Sequence, residues 1–152
     1  MKINDKIKEM NLFLPDPPSP VAAYIPALRV GDLVFISGTL PIVKGALLYS
    51  GKVGREVTIE QGIECARQAL LNMLAILKAQ IGELERVKQI VRLGGFIASV
   101  DGFTQQPQIL NGASLLLVDL FGDRGKHVRT AVGAAELPLN APVELEMIVQ
   151  VA

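Results

Sequence analysis

The stretch from Thr58 to Gly82 limits most sharply what this chain can fold into. Thr58 stands three residues before Gln61, the spacing of a capping box, in which each side chain satisfies the other residue's backbone amide. Ile59, Ile63, Ala66, Leu70, Met73, Leu74, Leu77 and Ile81 then recur at threes and fours, and Gly82 supplies the stop. The spacing predicts a helix over about 59–81 with one broad apolar face. Such a face has to be covered, and the flanking segments are strand-like, so the helix is expected to lie on a sheet.

Before it, Tyr24–Val30 and Leu33–Ser37 flank Gly31-Asp32, a two-residue turn signal, and read as a hairpin. Gly38 and Pro41 are expected to end the second strand, and a short third strand is expected near Ala46–Tyr49. After the helix, Val87–Val100 reads as a strand in which Gly94-Gly95 marks a bulge or a close backbone approach. Pro107 opens a second helix, with Ile109, Leu110, Ala113, Leu116, Leu117, Leu120 and Phe121 on its buried face. The loop GDRGKH, residues 122–127, ends it, and Val128–Ala135 and Val143–Val151 are the last strands. The order β-β-(β)-α-β-α-β-β describes an α+β layer sandwich, a mixed β-sheet with two helices on one face. The other face would be bare, and its burial by oligomerisation is the physical expectation. At the start, Ile3, Ile7 and Met10 predict a short extra N-terminal helix, and LPDPPSP, Leu14 to Pro20, a stiff extended connector. The chain therefore divides into a helix and proline-rich connector over 1–20 and a single domain over 21–152.

Composition removes several function classes. Half of the residues are hydrophobic, 5% are aromatic, and 15 basic residues balance 15 acidic ones. That balance disfavours nucleic acid, whose partners carry a basic excess. One cysteine and one histidine leave no disulfide framework and no usual nitrogen and sulfur metal site. No run of residues has the length and apolarity of a membrane span or of a signal-peptide core, so a cytoplasmic location is expected. The sequence carries no GxGxxG, no GxxxxGK[ST] and no GxSxG. His127 reads as an ordinary solvated residue, and Cys65, in mid-helix, as a buried structural thiol.

The informative segment is VRTAVGAAELPLNAPVELEMIVQV. On strand alternation Arg129, Ala131 and Gly133 share a side, so small residues beside an arginine leave room for a ligand. Glu144 sits between Val143 and Leu145, where a carboxylate needs a partner or stays protonated. On neighbouring strands the two residues would put a cation and an acid or base at one pocket. A structural ion pair is the competing reading.

Tyr24 in VAAYIPAL, the segment GDLVFISGTLP, Asn111 and the tail VRTAVGAAELPLNAPVELEM together resemble the RidA family, also called YjgF or L-PSP, of enamine/imine deaminases. The similarity runs from about Val21 to Val151, leaving the N-terminal helix and connector outside it, as in a divergent branch of roughly 150 residues. The resemblance implies a chorismate-mutase-like fold and a homotrimer with sites in the subunit clefts. It implies that Arg129 anchors a substrate carboxylate and that Glu144 handles the hydrolytic water. Tyr24, Ser37, Gly38, Asn111 and the backbone of Ala131 would line the cleft. The implied reaction is hydrolysis of a 2-imino acid or its enamine tautomer to a 2-keto acid and ammonia, with no cofactor and no metal. Thr130 stands where serine is more usual, Ala131 where cysteine often stands, and His127-Val128 where proline or a small residue and alanine are common. A trimer that binds a small 2-keto acid or other carboxylate without turnover, and a ribonuclease or translation inhibitor, are the alternatives.

Overall fold

The computed structural model describes residues 1–19 and 23–152. Pro20 at the end of the connector, and with it the boundary read between 20 and 21, lies outside the described residues. The elements in chain order are α1 (Ile3–Glu9), β1 (Ala27–Val30), β2 (Leu33–Thr39), β3 (Ile42–Val43), β4 (Ala46–Leu47), α2 (Ile59–Ile81), β5 (Val87–Ala98), α3 (Gln106–Phe121), β6 (Val128–Ala134) and β7 (Val143–Val151). Five strands form one sheet in the order β1-β2-β7-β5-β6. Its pairings are antiparallel except β5 with β6, which is parallel. A parallel pair needs a crossover, and α3 is that crossover. The α+β sandwich with a mixed sheet is thus the observed fold.

Helix α2 forms as its sequence dictates. Thr58 Oγ1 accepts from the Gln61 amide at 3.1 Å, and Gln61 Oε1 accepts from the Thr58 amide at 3.0 Å. Gly82 ends the helix at a φ of 89°, which favours glycine. Leu70, Met73, Leu74 and Leu77 are fully buried. Each such side chain contributes roughly 1.5–3 kcal/mol through area removed from water. Helix α1 joins the same core through Ile3 and Ile7. Glu85 accepts from the Ile3 amide at 2.7 Å, and Lys6 donates to the Leu120 carbonyl at 3.2 Å.

One local expectation needs correction and two are made more specific. Gly38 does not end β2; the strand continues through it to Thr39, with the register slipping between Ile36 and Thr39. The third strand near Ala46–Tyr49 is the second arm of a small separate hairpin, β3–β4, turned by Lys44 and Gly45 at φ values of 50° and 84°. Gly94 and Gly95 lie in regular register, and the slips in β5 fall earlier, between Val87 and Gln89 and between Ile90 and Arg92. The close approach is real: a Cβ on Gly95 would stand 2.7 Å from the Leu110 side chain of α3.

The helices cover one face of the sheet. On the other, Leu28, Val30, Phe35, Val128 and Val132 are exposed. Where α2 and α3 touch, a Cβ on Gly112 would collide with the Ile63 carbonyl. An alanine would gain about 1 kcal/mol in helix propensity. It would also drive two backbones apart, at a cost of about 1–3 kcal/mol or more. Gly112→Ala is therefore expected to lower stability by up to about 2 kcal/mol, read as a lower urea midpoint with an unchanged slope.

Candidate functional site

Arg129 lies on β6, the outer strand, opposite Leu93 of β5. Its side chain turns toward α3. Nη1 donates to Asn111 Oδ1 at 2.9 Å and to Ser114 Oγ at 3.0 Å, and Nη2 lies 3.4 Å from the Pro107 carbonyl. Asn111 and Ser114 are three residues apart on α3 and so share a face. Among the described residues no carboxylate pairs with this guanidinium. Its orientation is fixed by neutral partners and its charge is left uncompensated. Ala131 follows on the same side of β6 and is half-buried, and Gly133 lies beyond it, exposed.

Glu144 belongs to β7 and pairs across to Phe96 of β5, which pairs in turn to Val132. The adjacent row, Leu145–Gly95–Ala131, faces the helices, because Gly95 abuts Leu110 of α3. Glu144 therefore projects from the open face. There it fills the space beside Gly38, where a Cβ would collide with its carboxylate. Desolvation, and secondly the charge of Glu146, raise the Glu144 carboxyl above its ordinary value. Glu146 itself is paired with Arg92 at 3.2 Å.

Within one chain the candidate residues thus fall into two groups. Arg129, Asn111 and Ala131 gather at the β6 edge on the helix side. Gly38 and Glu144 meet on the open face. β5 separates β6 from β7, so Arg129 and Glu144 are not on neighbouring strands, and they point to opposite sides. They do not form an ion pair. Tyr24 and Ser37 share a concavity of about 440 Å³ on the open face with Phe35, Arg92, Glu146 and Ile148, which Glu144 does not line. The Ser37 hydroxyl is engaged, donating to the Ile25 carbonyl at 2.8 Å.

His127 is not simply solvated. It is half-buried, and both ring nitrogens have partners, Ser114 and Gly125. Neither Ser114 nor His127 stood among the sequence-derived site residues. The i, i+3 spacing from Asn111 and the strand alternation from Arg129 were the available signals. Cys65 is a buried thiol, pushed up to about 11 by desolvation. Among the described residues no three His, Cys, Asp or Glu side chains gather in a way that could hold a metal ion. No helix among them is long and apolar enough to cross a membrane.

A mixed sheet closed on one face by two helices, with an unpaired arginine under the crossover helix and an acid on the bare face, defines a chorismate-mutase-like α+β protein. The family profile described as "YjgF/chorismate_mutase-like, putative endoribonuclease" matches residues 5–150. The chain belongs to this family, the YjgF or RidA family. Protein TCP17 of Trypanosoma cruzi is 33% identical over 150 residues, spanning 98% of this chain and 94% of that protein. The 2-iminobutanoate/2-iminopropanoate deaminase of Dermatophagoides farinae is 29% identical over 133 residues, 87% of this chain and 88% of that one. A Shewanella oneidensis crystal structure described as a "putative endoribonuclease" superposes with a TM-score of 0.95 at 33% identity, covering 99% of this chain and all of that one. The matched region begins at residue 5, so most of α1 and the connector lie inside the family likeness rather than outside it.

The raised Glu144 carboxyl has a consequence for stability. The folded chain holds this proton more tightly than the unfolded chain, so the ionised side chain opposes folding at higher pH and has no such effect where both states are protonated. Glu144→Gln is expected to raise Tm at about pH 8, and by less at about pH 4. Thermal unfolding followed by circular dichroism at the two pH values checks the sign.

Proposed function

We propose that the chain hydrolyses 2-imino acids, or their enamine tautomers, to 2-keto acids and ammonia in the cytoplasm, without a resident cofactor. The observation that carries this reading is the Arg129 guanidinium, oriented by Asn111 and Ser114 at 2.9 and 3.0 Å and without an acidic partner among the described residues. Such a fork is matched to a carboxylate, which it can hold through two charge-assisted hydrogen bonds. The Dermatophagoides farinae relative, named as a deaminase of two short 2-imino acids, supports the substrate class.

The chemistry asks little of the protein. A protonated imine is already electrophilic at carbon. Water adds there, its oxygen forming the new C–O bond, and Glu144 accepts a proton from it. The same carboxyl returns a proton to nitrogen, the C–N bond of the carbinolamine breaks, ammonia leaves, and the hydroxyl proton passes to the Glu144 carboxylate as the carbonyl forms. A carboxyl raised above its ordinary value suits a group that must both take and give a proton. Ala131, packed against the core, and Gly133, beside Gln106 and Ser99, would flank the substrate. The amide of Asn111 and the aromatic ring of Tyr24 would bound it on either side.

Arg129 and Glu144 serve one reaction only if two copies share a site. We therefore assign the active form as a homotrimer in which the Arg129 edge of one copy meets the open face of the next. This arrangement covers Leu28, Phe35 and Val132, which the single chain leaves exposed. The endoribonuclease wording attached to relatives finds less support. The chain has zero net charge and only 5% aromatic residues, against the basic grooves and stacking platforms that RNA recognition uses.

Four measurements test the proposal. In a coupled assay that generates 2-iminopropanoate, Arg129→Ala is expected to lower turnover at least about 100-fold with no change in fold. Turnover equal to wild type refutes the anchor. Binding of pyruvate by calorimetry without catalysis makes the chain a carboxylate-binding trimer, and salt-dependent RNA cleavage makes it a nuclease. Arg129→Ala and Glu144→Gln chains, each inactive alone, are expected to recover about a quarter of wild-type activity when co-assembled at equal amounts, since one site in four then receives both intact residues. No recovery in verified mixed trimers refutes the shared site.

A further inference from the structure

The partners of His127 form a directional chain that ends on Arg129. His127 Nδ1 lies 2.6 Å from the Gly125 carbonyl, and Nε2 lies 2.9 Å from Ser114 Oγ. A carbonyl only accepts, so Nδ1 carries the hydrogen, and in the neutral ring Nε2 is an acceptor. Ser114 has one proton to give, and Nε2 takes it. That turns a lone pair of Ser114 Oγ toward Arg129, whose Nη1 donates to it at 3.0 Å. A guanidinium has no other role available, because it never accepts. Each proton in the sequence Arg129, Ser114, His127, Gly125 therefore has one direction.

The far end of the chain is fixed by packing. Gly125 closes the 3-10 turn Gly122–Gly125 and is buried. A Cβ there would collide with the Leu117 backbone of α3, so the turn lies flush against the helix. The Gly125 carbonyl is thereby held against the same helix that carries Ser114. Ser114 is only 9% exposed. Without His127 its hydroxyl would be free to turn back toward a carbonyl of its own helix, an arrangement serine readily adopts, and the lone pair offered to Arg129 would be lost.

We infer that His127 and Ser114 are positioning residues for the carboxylate anchor: through its Nδ1–H tautomer, His127 sets the Ser114 hydroxyl so that Arg129 is presented in one orientation. This rests on the reading of Arg129 as the anchor. Neither residue touches substrate, so their loss should weaken binding and spare the chemical step.

The test uses the full chain at about pH 8, reading pyruvate affinity by calorimetry and kcat and KM with 2-iminopropanoate. His127→Ala and Ser114→Ala are each expected to raise Kd and KM about ten-fold and to change kcat less than about two-fold. The double variant is expected to match the single ones, because both cut the same chain. His127→Gln, whose amide oxygen can accept from Ser114, is expected to restore most of the affinity. Nitrogen NMR of the ring should show the proton on Nδ1. Unchanged affinity in both alanine variants, an equal fall in kcat, additive effects, no rescue by glutamine, or a proton on Nε2 overturns the inference. Arg129→Ala separates the two readings. If it leaves affinity intact, the anchor itself is wrong; if it abolishes binding while the His127 and Ser114 variants bind normally, only the relay is.

Discussion

One pairing sets the plan of the molecule: β5 and β6 run parallel in a sheet that is otherwise antiparallel. Two parallel neighbours cannot be joined by a tight turn, so the chain must leave the sheet, cross it and return. The crossover is α3, and it comes to rest over the strand it precedes. That single constraint brings Asn111 and Ser114 above Arg129, seals Gly95 beneath Leu110, and makes β6 the outer strand. Helix α2 packs on the same face as α3, which leaves the opposite face for Glu144 and the exposed apolar residues.

How much of this the sequence discloses depends on the range of the interactions involved. Helix α2 is legible because its cap, its apolar stripe and its terminal glycine are all local. The hairpin around Gly31-Asp32 is legible for the same reason. Gly94-Gly95 is ambiguous in sequence, because a bulge and a close approach leave the same trace; only the position of Leu110 decides between them. Strand order is the harder matter. Nothing local says that β5 lies between β6 and β7, and hence nothing local says that Arg129 and Glu144 point apart. The family likeness points to candidate residues but not to their placement in a single chain.

His127 is the instructive miss. Adjacent to a lysine at a loop-to-strand junction, it has the surroundings of a surface residue. Strand alternation nevertheless puts it on the side of Arg129, two residues on. Its burial comes from a turn that lies flat on α3, and that turn lies flat because Gly125 has no side chain. A residue's chemical standing here follows from an empty space two positions away.

Gly38 carries a similar consequence over a much longer span. The volume that its missing side chain leaves is the volume Glu144 occupies. Two positions on different strands, far apart in the chain, are thus a single steric unit. A relative that fills position 38 must move its acid or give it up, and one that lacks the acid is free to fill position 38. In this chain a side chain at position 38 and the Glu144 carboxylate in its present place exclude one another, so the two positions can change only together.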